Sequence, residues 1–246
     1  MKQSIFFIGI IASWILTGCS AVLYTPTSQI TPLHDKKGDM EFTGAYGFQG
    51  AEANASVAVS DHLAIAAQGR LGTKEGDPLH QLTGGKNDGK RSDKFSYGAA
   101  LSYFNAPEQE DALYWNVAAG FVTGKSQSIY SQNGLDGPST SDISSANTQV
   151  YVQPLIAFRQ EYMDAIFSCR TGWVGINNID TDATDFTDKK IDMIVAQPAA
   201  TVRIGPKHVK AYFQIGYTLA NKKKYDDITT FFGGRLGSSI GVQATF

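Results

Sequence analysis

The sequence predicts an all-β protein: a closed, antiparallel, ten-stranded transmembrane β-barrel with short turns at one end and long loops at the other. Three observations predict it. Apolar residues recur at every second position in ten successive segments. Each segment runs to about ten residues or somewhat more, the length that crosses a bilayer as a tilted strand. The connections between segments alternate between short and long, as in outer-membrane barrels.

The segments follow one another from Met40. A strand points successive side chains to opposite faces, so each should carry one apolar and one polar face. In the first, Met40, Phe42, Tyr46 and Phe48 oppose Glu41, Thr43 and Gln49. In the second, Ala53, Ala55, Val57 and Val59 oppose Glu52, Asn54 and Ser56. Leu63, Ile65, Ala67 and Leu71 then oppose Gln68 and Arg70, and Phe95, Tyr97, Leu101 and Tyr103 oppose Ser96, Gly98 and Ser102. The fifth sets Leu113, Trp115, Val117 and Phe121 against Tyr114, Asn116 and Gly120. The sixth sets Val150, Val152, Ile156 and Phe158 against Tyr151, Gln153 and Arg159. The seventh is weaker: Phe167, Cys169 and Trp173 oppose Ser168, Arg170 and Gly172, but Ile166 and Val174 fall on the polar side. Ile194, Ala196, Val202 and Ile204 oppose Gln197, Thr201 and Arg203 in the eighth. The ninth alternates from Val209 to Leu219, with Lys210, Tyr212, Gln214 and Thr218 on its polar side. The last carries Leu236, Ile240, Val242, Ala244 and a terminal Phe246 against Arg235, Ser239, Gln243 and Thr245. A soluble sandwich is the alternative fold, but its strands run nearer five or six residues.

Connections 60–62, 105–111, 161–164 and 205–208 are short. Gly50 marks a tight first turn, and the connections 72–94, 125–147, 176–189 and 221–231 are long and polar. This sorting places the short turns in the periplasm and the long loops outside.

The amino terminus reads separately. Lys2 precedes a short apolar run, 5–16, too brief for a spanning helix. Leu16-Thr17-Gly18-Cys19 follows, and it resembles the lipobox of bacterial lipoprotein signal peptides. The resemblance implies cleavage before Cys19, palmitate and other acyl chains on Cys19, and a stable anchor, since several chains hold where one does not. Ser20 rather than aspartate follows the cysteine, which by the same resemblance favours the outer membrane. The organisation expected is a signal peptide at 1–18, a lipidated linker at 19–39 kept extended by Pro26 and Pro32, and a barrel at 40–246. The lipid is expected on the periplasmic side, with the first strand rising outward.

Cys19, the linker from Tyr24-Thr25-Pro26 to Pro32-Leu33, Lys37-Gly38-Asp39 and the turn Val59-Ser60-Asp61-His62-Leu63-Ala64 are similar to uncharacterised lipid-modified outer-membrane β-barrel proteins of Gram-negative bacteria. The resemblance implies a fold and an address. The terminal Phe246 resembles the signal read by barrel-assembly machinery. Outer-membrane lipid, lipopolysaccharide and the lipoprotein-processing machinery are the other partners implied.

Composition and motifs narrow the function. A net charge of −2 gives no basic excess and argues against nucleic acid. Once Cys19 is acylated, Cys169 stands alone and is expected to be a small buried hydrophobe. The run 84–91 nearly spells a phosphate-binding loop but has Arg91 where a hydroxyl must reach magnesium. Gly237-Ser238-Ser239-Ile240-Gly241 matches a nucleophile elbow inside a strand, with no acid or histidine after it. Asp180, Asp182, Asp185, Asp188 and Asp192 read as a solvated acidic loop, with hard-cation binding the alternative. Lys86, Lys90, Arg91, Lys94 and Lys222, Lys223, Lys224 sit where lipopolysaccharide phosphates or plain solvent would meet them. His34, His62, His80 and His208 have no metal-ligand spacing. No catalytic residue, metal ligand or cofactor is expected.

The most suggestive set points inward: Arg70, Arg159, Arg170, Arg203, Lys210 and Arg235, against Glu41 and Glu52. One reading is a narrow anion-biased channel. The favoured reading is an interior plugged by long side chains paired with carboxylates. The role expected is non-enzymatic, in surface structure or adhesion, with a channel as the alternative and an outer-membrane hydrolase as a third. Radiolabelled palmitate is expected on the full-length chain and should vanish with Cys19→Ala; label surviving that change would remove the lipid anchor at Cys19.

Overall fold

A computed structural model of the chain describes residues 24, 26–47, 50–72, 94–105, 113–134, 137–181, 190–221 and 236–246. Within them the backbone is all strand and connection, with no helix. The strands are β1 (Met40–Gly47), β2 (Gly50–Ala58), β3 (Leu63–Leu71), β4 (Lys94–Phe104), β5 (Tyr114–Gly134), β6 (Gly137–Arg159), β7 (Met163–Thr181), β8 (Ile191–Ile204), β9 (Val209–Tyr217), β10 (Leu219–Ala220) and β11 (Leu236–Thr245). Thr218 interrupts the ninth stave, so β9 and β10 act as one, and the sheet is a closed antiparallel barrel of ten staves.

Sequential neighbours pair from β1 through β9, except that β10 also lies on β8. The ring closes where β11 inserts between β9 and β1: Leu236 opposes Tyr217 on one side, and Glu41 opposes Thr245 on the other. At the seam Met40 N donates to Phe246 O at 3.1 Å and Phe246 N to Met40 O at 2.9 Å. Among the described residues each stave is paired on both sides within the ring; β5 past Ser126 and the short β10 each have a single neighbour.

The period-two expectation holds at the level of side chains. Phe42, Ile65, Leu101, Phe121, Val152, Ile194, Phe213 and Ile240 all face outward and are exposed. Their chain neighbours on the opposite face, such as Thr43, Gln68, Ser102, Gln153 and Gln243, are buried inside.

Two connections differ from expectation. Residues 125–134 and 137–147 are strand where a loop was expected: β5 and β6 stay paired residue for residue out to Gly134 and Gly137. β7 follows them, pairing Ile143 with Thr181, past an irregularity at Ser144 and Ala146. The reason is local: a polar run rich in Ser, Thr and Gln with interspersed Ile and Tyr keeps β propensity when each residue finds a cross-strand partner. The loop expected at 176–189 is shortened in the same way. Cys169 also departs from expectation. It is half-exposed on the outer face, with Sγ 3.8 Å from Thr171 Oγ1, because it continues the apolar stripe of β7 instead of entering the core.

The barrel has two distinguishable ends. At one lie the connections 59–62, 160–162 and 205–208, with Asn105 and Leu113, together with the seam of Met40 and Phe246. At the other lie Gly47, Gly50, Leu71 and Phe95.

Candidate functional site: the filled lumen

The interior is occupied by the chain's own amino-terminal segment. Gln29, Ile30, Thr31, Leu33 and His34 are buried, as is Tyr24, although none of them belongs to a stave. The contacts of the segment order it along the barrel. Pro26 O accepts from Arg70 Nη1 at 2.8 Å, at the end of β3 near Leu71. Ser28 N donates to Glu52 Oε1 at 3.2 Å, two residues from the start of β2. Leu33 N donates to Glu41 Oε1 at 3.0 Å, at the opposite end, beside Met40. The segment therefore runs through the barrel from the Leu71 end to the seam end. From residue 26 to residue 34 is eight steps of about 3.3 Å, roughly 26 Å when extended, close to the height of a bilayer's hydrocarbon core.

A segment without regular structure must find partners for its peptide groups, and inward glutamines supply them. Gln214 Oε1 accepts from Gln29 N at 2.8 Å while its Nε2 donates to Gln29 O at 3.2 Å and to Thr201 Oγ1 at 2.8 Å. That side-chain amide imitates a neighbouring strand. Gln153 Nε2 donates to Ile30 O, and Gln29 Nε2 to Gln197 O. Around Tyr24 three groups close a ring: Tyr24 Oη donates to Gln149 Oε1 at 3.1 Å, Gln149 Nε2 to Gln197 Oε1 at 3.1 Å, and Gln197 Nε2 to Tyr24 Oη at 3.2 Å. Pro26 and Pro32 carry no N–H, so the lumen has two fewer donors to satisfy.

The inward basic residues serve the same purpose. Arg170 is fully buried: Nε donates to Gln153 Oε1 at 3.0 Å, Nη1 to Thr27 Oγ1 at 2.8 Å, and Nη2 to Ser28 O at 3.3 Å and Gln68 Oε1 at 3.4 Å. Its guanidinium also lies 4.3 Å from the centre of the Tyr151 ring, a cation–π distance. Arg203 Nη2 donates to Thr31 O and to Thr31 Oγ1 at 2.7 Å, and its Nη1 is 3.7 Å from Glu41. Arg159 forks onto Asp35, just past the segment. Lys210 alone among these stays within the wall, 2.9 Å from both oxygens of Asp164. So four cations hold the segment or its exit, and three pair with carboxylates. Arg235 lies outside the described residues.

Apolar packing seals the seam end. Leu33 joins Ala58, Ala64, Phe104, Tyr114, Leu155, Ala157 and Ile166 in one cluster. The His34 ring stands 5.8 Å from that of Phe104. Higher up, Ile30 packs with Ala100, Ala118, Val122 and Tyr151. Beyond Leu33 the chain reverses: Asp39 Oδ2 accepts from Asp35 N at 2.8 Å and Lys36 N at 3.0 Å, and Gly38, at φ 92°, turns it into β1. A positive φ is costly for any residue with a Cβ, which accounts for glycine there.

Little open space remains beside the segment. One cavity of about 50 Å³ is bordered by Pro26, Thr27, Glu52, Gln197, Gln214 and Ser239. Another of about 10 Å³ lies beside Arg203 and Tyr212. By volume the first has room for a few waters and the second for about one.

The remaining sequence candidates are not drawn together. Among the described residues no group of three or more His, Cys, Asp or Glu could hold a metal ion. His62 Nδ1 lies 3.2 Å from Phe104 O and His208 Nδ1 3.2 Å from Thr245 O, each tying down a short connection. Asp192 pairs with Lys190 at 3.6 Å. Gly237–Gly241 lies within β11, as expected. Cys19, His80, the 84–91 run, Asp182, Asp185, Asp188, Lys222, Lys223 and Lys224 fall outside the described residues. No protein-family model and no curated protein matches the chain.

The lumen occupant was not anticipated from sequence, where 19–39 read only as a linker. The signals were present. Ile166 and Val174, the two residues out of phase in β7, are both fully buried inside, and the inward face carries glutamine on strand after strand.

Arg170→Ala is expected to lower the unfolding free energy by about 3 kcal/mol, since hydrogen bonds to a charged group are each worth roughly 1.5–3 kcal/mol. Limited proteolysis should then cut within 24–34. Arg170→Lys should restore little, because an ammonium cannot span the same fork of acceptors. Denaturant titration and peptide mapping check both; an Arg170→Ala protein with unchanged stability and an uncut segment contradicts the assignment.

Proposed function

We propose that this protein is a lipid-anchored outer-membrane β-barrel with a self-plugged lumen, acting as a non-enzymatic surface scaffold in structure or adhesion. The observation that carries the reading is the outward face: an apolar belt running around a closed ring whose inward face is polar. In water such a belt is a large unpartnered hydrophobic surface, and a bilayer covers it without further protein. Aromatic residues flank the belt. Tyr103, Trp115, Phe158 and Tyr162 stand exposed toward the seam end, and Phe95, Tyr97 and Trp173 toward the other, as an interfacial girdle would require. The short connections then face the periplasm. The long connections and the β5–β6 ribbon face outward, where they would meet lipopolysaccharide or another surface. Barrel-assembly and lipoprotein-processing machinery are the partners this route requires.

The anion-channel alternative loses much of its support, because four of the six cations that suggested it, Arg70, Arg159, Arg170 and Arg203, hold the lumen segment or its exit.

Unboiled protein in SDS should migrate differently from boiled protein, as a closed barrel resists the detergent. In planar bilayers the full chain should be silent, and a variant lacking 24–34 should conduct if its barrel survives. Identical mobility before and after heating would count against the barrel in membranes, and steady conductance by the intact chain against the plug.

A further inference from the structure

The direction of the lumen segment decides on which side of the barrel the amino terminus emerges. This inference rests on the membrane orientation and lipidation proposed above. Read backwards from β1, the chain enters the lumen at the seam end, with Leu33 N on Glu41, and reaches Arg70 with Pro26 O. Tyr24 is bonded to Gln149 and Gln197 in the half of the barrel away from the seam. Cys19 precedes Tyr24 by five residues, a reach of at most about 18 Å. Regaining the seam end from Tyr24 means retracing the nine residues to Leu33, roughly 30 Å at about 3.3 Å each, inside a lumen already filled. Among the described residues the ring is hydrogen-bonded all round from the seam end up to the level of Tyr217, so the wall offers no side exit there.

The geometry points to an amino-terminal segment threaded outward through its own barrel, so that the acyl chains of Cys19 sit at the mouth bordered by the long connections, in the outer leaflet. This reverses the periplasmic placement expected from sequence. The chemistry fits a locking role. β1 fixes the segment at the seam end. A multiply acylated residue at the far mouth resists being drawn back through a narrow polar lumen, since its chains gain about 0.8 kcal/mol per buried methylene in lipid. The anchor and the plug are then one device: neither can leave without the other.

The test uses full-length, lipidated protein in intact cells. In a Cys169→Ala background, Ala21→Cys and, as a second reporter, Leu23→Cys are treated with a membrane-impermeant maleimide. Asn87→Cys in a long connection and Lys207→Cys in a short one are the references. The expected result is labelling of Ala21→Cys or Leu23→Cys on whole cells as strong as that of Asn87→Cys. Lys207→Cys should label only after permeabilisation. Amino-terminal reporters that label only after permeabilisation, or not at all, while the references behave as stated, overturn the inference. References that fail to separate overturn the membrane orientation instead, and palmitate labelling that survives Cys19→Ala overturns the anchor, so the failures are distinguishable.

Discussion

The structure depends on filling and satisfying the inside of a ten-staved ring. Eight staves enclose a space that side chains alone just fill, and ten enclose more. Buried polar groups demand partners, and a half-satisfied network is worse than none. Here Gln153 and Gln214 on the wall meet peptide groups of Gln29 and Ile30, while Gln149 and Gln197 close a ring with the Tyr24 hydroxyl. Each neutral bond is worth only about 0.5–1.5 kcal/mol net, so the segment is held by their number and by the buried Leu33 and Ile30.

Charge placement follows from the same requirement. A buried guanidinium is stable only when its donors are met. Arg170 meets them through Thr27, Ser28, Gln68 and Gln153; Arg203 meets them in part, with Nη2 on Thr31 and Nη1 balanced by the Glu41 charge at 3.7 Å. Arg70 and Arg159 bracket the segment at its two ends. Residues that suggest an anion pathway when read one by one form a clamp when the peptide between them is considered. Lys210 with Asp164, and Arg203 with Glu41, are the parts of this pattern in which the wall pairs with itself.

The outer face was legible in the sequence because alternation depends on one residue and its chain neighbours. Ten segments, their antiparallel order and their inward polar sides all follow from that period. The lumen segment was not legible because it has no period: its donors and acceptors go to side chains distant in sequence, as when Gln29 meets Gln214. The β5–β6 ribbon was missed for a related reason. Its polar residues read as loop, and only pairing out to Gly134 and Gly137 makes them strand. The out-of-phase Ile166 was the clearest hint, since an apolar residue on a polar face implies something apolar opposite it, and Leu33 shares its cluster.

The seam ties the segment to the closure of the ring: β1 continues directly from the segment and pairs with β11. The most direct measurement of the account is amide hydrogen exchange on the folded full-length protein. Ser28, Gln29 and Leu33 should exchange as slowly as the stave amides, since each donates to a buried side chain inside a closed ring. Exchange across 26–34 at the rate of an unstructured chain, with the staves protected, would contradict it.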